Sequence, residues 1–130
     1  MEIPLVIIES PFKPTVDPSK DRMCYERELA EHVAYARASM HDCLLRGEAP
    51  YASHLLYTQE GVLCDDIPEE REMGIEAGLA WGRCADLTAV YIDFGISKGM
   101  KRGIHRARSL GRAIEYRSLY GNLLPKEDTV

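Results

Sequence analysis

The chain has 130 residues, 45% of them hydrophobic and 28% charged, which is one globular domain's worth and excludes a disordered chain, a collagen and a coiled coil. Its net charge of −5 argues against a non-specific nucleic-acid binder, which is usually basic overall. No apolar run approaches the roughly 20 residues that cross a bilayer, and no basic-then-apolar leader is visible, so the expected location is the cytoplasm.

Leu5 to Ile8 is a continuous apolar run rich in β-branched residues, the pattern of a strand covered on both faces. Pro11 and Pro14 stop it, because prolines are not accommodated in a central strand, and Pro14 to Lys20 is a loop. From Asp21 to Arg46 the period changes: Leu29, Val33, Ala36, Met40 and Cys43 or Leu44 recur at steps of three and four. That predicts an amphipathic helix with Arg, Glu and His on its outer face, His32 and His41 among them, and with Gly47 as its cap. Ala49 to Ala52 reads as a short strand with Pro50 at its edge or start, and Ser53 to Tyr57 as a loop or a helical turn.

Pro68, following Asp65-Asp66 and followed by Glu69, Glu70 and Glu72, opens a second helix that runs to about Arg83. Gly74, Gly78 and Gly82 share one face of it. Each costs roughly 1 kcal/mol against alanine, so three in register imply close approach of another backbone or of a ligand. Leu87 to Ile92 is the second clear strand. It leads through Asp93-Phe94-Gly95-Ile96 to Ser97, a good N-cap for a helix that ends near Leu110 at Gly111. Ala113 to Arg117 is the last strand. Trp81, Cys43 and Cys84 are expected in the core.

This order predicts an α/β fold: a single-domain, doubly wound, mostly parallel sheet of the flavodoxin/Rossmann-like kind over residues 1–119, with 120–130 as a tail. Ligands in such folds sit beyond the carboxyl ends of the strands. That edge carries Ser10, Pro11 and Phe12, then His54, then Asp93 to Met100. Gly95, Ser97, Lys98 and Gly99 make a glycine-bearing turn at a helix N-terminus, which reads on local sequence as an ordinary capped turn or, with less support, as a phosphate site. His54 is placed as a ligand contact, an acid or base, or a hydrogen-bonded loop histidine. The four cysteines have no C-x-x-C pair and read as free thiols, so no metal is expected. Seven of the sixteen Lys and Arg lie between Lys98 and Arg117 against one acid, and seven acids lie between Glu60 and Glu76 against one base. These are two helix faces of opposite sign, neutralising each other within the molecule or across a subunit contact, or else a polyanion site. No Walker, G-x-G-x-x-G, G-x-S-x-G or H-E-x-x-H signature is present.

Ser10-Pro11 after the first strand, Ser53-His54-Leu55 after the second, Gly78-Leu79-Ala80-Trp81 with Ala85-Asp86, and Ser97-Lys98-Gly99-Met100 with Ala107, Leu110 and Gly111 together resemble the nucleoside 2-deoxyribosyltransferase-like superfamily. The resemblance runs to about Leu119 and is strongest to a small phage-type branch with Glu69-Glu70-Arg71-Glu72 and Glu115-Tyr116-Arg117. It implies a glutamate nucleophile six residues beyond the Ser97-like position and an aspartate before the tryptophan of the second helix. Here those positions are Gly103 and Gly78, which can neither form a glycosyl ester nor hold a proton. Ser97 matches the position that contacts a 5′-phosphate.

The resemblance therefore implies a non-catalytic pocket for a nucleotide or a nucleotide-derived signal of the ADP-ribose type, such as a phage protein would use to sequester a host immune signal in the host cell cytoplasm. The expected ligand site is Ser10, Pro11, Phe12, His54, Asp93, Gly95, Ser97, Lys98, Gly99 and Met100, with no catalytic residue and no cofactor. The alternative is a nucleoside or deoxynucleotide N-glycosidase, or a deoxyribosyltransferase, with a rearranged set drawn from Glu9, Asp93 and His54. A third reading is a purely structural interaction module. No membrane and no nucleic-acid polymer is expected as partner. A homo-oligomer is, most simply a dimer, because the resembled enzymes complete their pockets with a neighbouring chain.

Overall fold

Residues 2–126 are described by the structure, a computed structural model. The elements in chain order are β1 (Leu5–Glu9), α1 (Arg22–Leu45), β2 (Ala49–Tyr51), the single turn α2 (Ser53–Leu56), α3 (Pro68–Gly82), β3 (Leu87–Tyr91), α4 (Lys98–Ser109) and β4 (Ala113–Arg117). The four strands form one sheet in the order β2-β1-β3-β4, with every pair parallel. A parallel pair needs a crossover, and helices supply each one. The result is a flavodoxin/Rossmann-like α/β domain, in which β2 and β4 are the edges. The part of the expected tail at 127–130 lies outside the described residues.

The pleat of β1 separates two sides of the molecule. Val6 and Ile8 point to α1, where they pack with Tyr35, Cys43, Ala89 and Tyr91. Ile7 and Glu9 point the other way, to Gly82 of α3 and Gly103 of α4. On that second side Val90, Met100, Ile104 and Tyr116 form a smaller core under α4. Helix α3 packs chiefly on α2 rather than on the sheet. It meets β1 only at its C-terminal end, where Gly82 lies against Ile7, and a cavity opens between the rest of α3, α4 and the strand ends.

Helix α1 starts as the cap rule demands: the Asp21 carboxylate accepts the Cys24 N–H at 3.0 Å. Its buried face differs from the expected stripe. Ala36 and Cys43 are buried as expected, but Leu29, Val33 and Met40 are only half-buried, and Tyr25, His32, Tyr35 and Ser39 fill the rest of the face. Polar anchors cause this rotation. Tyr35 donates to the Asp93 carboxylate at 2.6 Å, Ser39 donates to the Tyr35 carbonyl at 2.9 Å, and His32 Nδ1 lies 2.9 Å from the Phe12 carbonyl. His32 is thus buried at 6% exposure rather than on the surface, while His41 is exposed as expected.

Two further expectations are corrected. Trp81 is 67% exposed, because Gly78 and Gly82 are the inward residues of α3 and the tryptophan falls on its outer side. Cys84 is exposed just beyond the same helix, and all four cysteines are free. One of the segregated bases pairs with the acidic helix inside the chain. Arg102 of α4 bridges to Glu72 at 2.6 Å and Glu76 at 3.3 Å on α3. Arg117, at 3% exposure, forks onto Glu48 at 2.8 and 2.7 Å, joining the end of one edge strand to the residue before the other.

Candidate functional site

The cavity has a volume of about 660 Å³, within the range of small-molecule sites. The carboxyl ends of β1 and β2, the turn α2, the inner face of α3 and one side of α4 line it. Of the ten expected site residues, Ser10, Phe12, His54, Ser97, Lys98, Gly99 and Met100 meet there. Pro11, Asp93 and Gly95 are not among its lining residues.

Asp93 is committed elsewhere. Its carboxylate accepts from Tyr35 at 2.6 Å, Ser118 at 2.5 Å, the Leu119 N–H at 2.8 Å and Asn122 at 2.7 Å. Burial pushes this carboxyl up, but the hydrogen bonds outweigh it and hold the group well below the usual carboxylate range. It is an anchor for residues 118–122. Gly95 has φ +85°, a region open to glycine and strained for other residues, so its role is the turn itself. Pro11 is buried.

Ser10 and His54 are brought together by the β1–β2 pairing. Ser10 Oγ and His54 Nε2 share a hydrogen bond of 2.8 Å, Phe12 meets the imidazole edge-on at 5.9 Å, and Thr58 donates to the His54 carbonyl. Burial, with a smaller contribution from His32, lowers His54 to about 4. It is a neutral ring at pH 7, fixed by Ser10, and offers hydrogen bonds rather than charge.

At the mouth, Ser97 caps α4. Its Oγ accepts the Met100 N–H at 3.3 Å, and the Met100 sulfur accepts the Ser97 N–H at 3.4 Å. The remaining free N–H groups of the first turn, with Lys98 beside them, make this end electropositive. Arg71 of α3 reaches to within 3.7 Å of a Cβ built at Gly99. Arg71 also lies 3.6 Å from Asp65.

The two glycines at the carboxylate positions are required by their neighbours. A Cβ on Gly78 would stand 2.6 Å from both Cβ and Oγ of Ser53. A Cβ on Gly103 would fall on the carboxyl of Glu9. A side chain of β1 thus occupies the space that a side chain at position 103 would take. Burial raises Glu9 to about 8, against the pull of Arg112, so at pH 7 it is mostly a neutral acid that can donate a hydrogen bond. Glu9 stood in the alternative catalytic set, but its seat over Gly103 follows only from the strand register.

Arg106 and Arg112 line the same cavity and were not singled out from the sequence. The available signal was the spacing of Lys98, Arg102 and Arg106, four residues apart and hence on one side of α4. Among the described residues no group of His, Cys, Asp and Glu is placed to hold a metal ion. No described helix is long and apolar enough to cross a membrane.

A family model described as a domain of unknown function, DUF7768, matches residues 4–117, from the residue before β1 to the last residue of β4. The chain belongs to this DUF7768 family. Among curated proteins none matches it. The DUF7768 match spans every strand and helix described above, so the cavity lies inside the unit that defines the family.

Proposed function

We propose that this DUF7768 domain binds a nucleotide, or a nucleotide-derived signal of the ADP-ribose type, without turning it over. The observation that carries the reading is the gathering of Ser10, Phe12 and His54 with Ser97 to Met100 around one cavity of about 660 Å³. The aromatic and neutral polar groups by β1 and β2 suit a nucleoside, and the α4 N-terminus with Lys98 and Arg71 suits its phosphate. The reading includes the resemblance to a phage-type branch, a protein that sequesters a host signal in the host cytoplasm, and a homo-oligomer.

A panel of nucleotides, NAD-type dinucleotides and ADP-ribose derivatives tested by calorimetry checks it. A bound species should be recovered intact after denaturation. Ser97→Ala should weaken binding by about 1–3 kcal/mol, whereas Ser97→Thr, which keeps the cap, should retain most of it. Equal affinity in wild type and Ser97→Ala overturns the phosphate assignment.

The position of Glu9 favours one second reading, an N-glycosidase or deoxyribosyltransferase with a rearranged site. A neutral carboxyl at pH 7 is a proton donor to a leaving base rather than a nucleophile. Release of free base from the same panel, abolished by Glu9→Gln, would establish that reading in place of the first.

A further inference from the structure

The α4–β4 end of the cavity holds two guanidinium groups that the nucleotide reading does not use. Arg106 Nε is buried and makes no hydrogen bond, yet the residue lines the cavity. A buried donor on a charged group left without an acceptor costs free energy that a well-packed wall would not normally leave unrecovered. Arg112 converges on the same place from the residue before β4. Its guanidinium donates to the Gly82 carbonyl and, at 3.2 Å, to Thr88 Oγ1. Burial and the neighbouring Arg106 both push Arg112 down, as expected of two like charges on one wall. The carboxyl beside Arg112 is Glu9, which is largely neutral at pH 7. Two other acids of the cavity wall are engaged elsewhere: Asp65 faces Arg71 at 3.6 Å and Glu70 accepts the Cys64 N–H at 3.0 Å.

We infer that Arg106 and Arg112, with Glu9 beside Arg112, form a second anion subsite that takes a phosphate group. The Arg106 guanidinium, the Arg112 donors not taken by Gly82 and Thr88, and a carboxyl O–H present donors to more than two oxygens, which fits a phosphate better than a carboxylate. Eight residues of helix separate Lys98 from Arg106, about 12 Å along the axis, so one phosphate cannot occupy both ends. The ligand class is then a nucleotide with two separated phosphate groups, and that clause alone rests on the reading above.

The test uses inorganic phosphate and the full chain labelled with ¹⁵N. The Arg106 Nε–H resonance, assigned by its loss in Arg106→Lys, should shift saturably as phosphate is added. Arg112→Gln should weaken that saturation about tenfold or more, with the backbone amide spectrum confirming the fold of the variant. Ser97→Ala should leave it unchanged. An Arg106 resonance that stays still while the amides of Ser97 to Met100 move overturns the second subsite and leaves the nucleotide reading standing. So does a resonance that stays still with no amide moving, as far as the subsite is concerned. A saturable Arg106 shift in a protein that binds no nucleotide of the panel supports the subsite and removes the nucleotide reading instead.

Discussion

Glu9 is a carboxylic acid held in its neutral form by its surroundings, and the fold bears a cost for that. In the unfolded chain it titrates near 4.5, and in the folded protein near 8. Between those values the folded state holds the extra proton, so this group's contribution to stability falls as pH rises from about 4.5 to about 8. His54 acts in the opposite sense. Its ordinary value of 6.5 drops to about 4 on folding, so between those values the unfolded chain holds the extra proton and stability rises with pH. The two slopes oppose each other from about 4.5 to 6.5, and only the Glu9 loss remains from 6.5 to 8. Glu9→Gln should therefore be more stable than wild type above pH 8, by roughly 2–4 kcal/mol, and nearly equal to it near pH 4.5. Urea unfolding across that range measures both curves. A wild-type decline between pH 6.5 and 8 that survives in Glu9→Gln would mean that another group carries it.

Helix α3 owes its position to what it lacks. With Gly78 against Ser53 and Gly82 against Ile7, its backbone approaches α2 and β1 where no β-carbon fits, while its middle stands away from the sheet and leaves the cavity open. Gly78→Ala should push Ser53 and with it the turn that carries His54. We expect a net loss of about 1–3 kcal/mol from overpacking, although alanine is the better helix former. Ser53→Gly removes the two atoms in the way, so the double variant should be more stable than Gly78→Ala alone, a non-additivity that thermal unfolding of the four proteins reads directly. The spacing of these glycines announced a close approach in the sequence, and the strands, helices and their order were equally readable because apolar runs and caps are local signals. The rotation of α1 was not readable, since His32 and Ser39 are buried through partners at Phe12 and Tyr35. The same holds for the exposure of Trp81 and for the meeting of Glu9 with Gly103 and Arg112, which depend on which elements become neighbours in space. Asp93 shows the converse: its place after β3 resembles a ligand position, and its carboxylate instead ties down residues 118–122.

Arg102 already pairs with Glu72 and Glu76 inside one chain, so the charge it carries is not free to hold a second chain, and apolar surface is the other source of association. The outer side of α3 provides it. Met73 is 59% and Trp81 67% exposed, and half-buried Ala77 and exposed Ala80 lie between them, four and seven residues beyond Met73. Tryptophan and methionine are enriched at interface cores relative to ordinary surface, and a two-fold pairing of this stripe with itself would place tryptophan and methionine against their own counterparts. Helix α3 is also one wall of the cavity and packs chiefly on α2, so a partner seated on its outer side would hold the wall in place and reduce the ordering cost of ligand binding. Light scattering at micromolar concentration should give at least twice the 14.7 kDa chain mass, and Trp81→Ser, which alters only an exposed position, should shift the population to the single-chain mass. The same variant should bind nucleotide more weakly without any change at Ser10, His54 or Ser97. A wild-type protein of single-chain mass would remove the oligomer from the proposed function, and a Trp81→Ser dimer of undiminished affinity would move the interface away from α3.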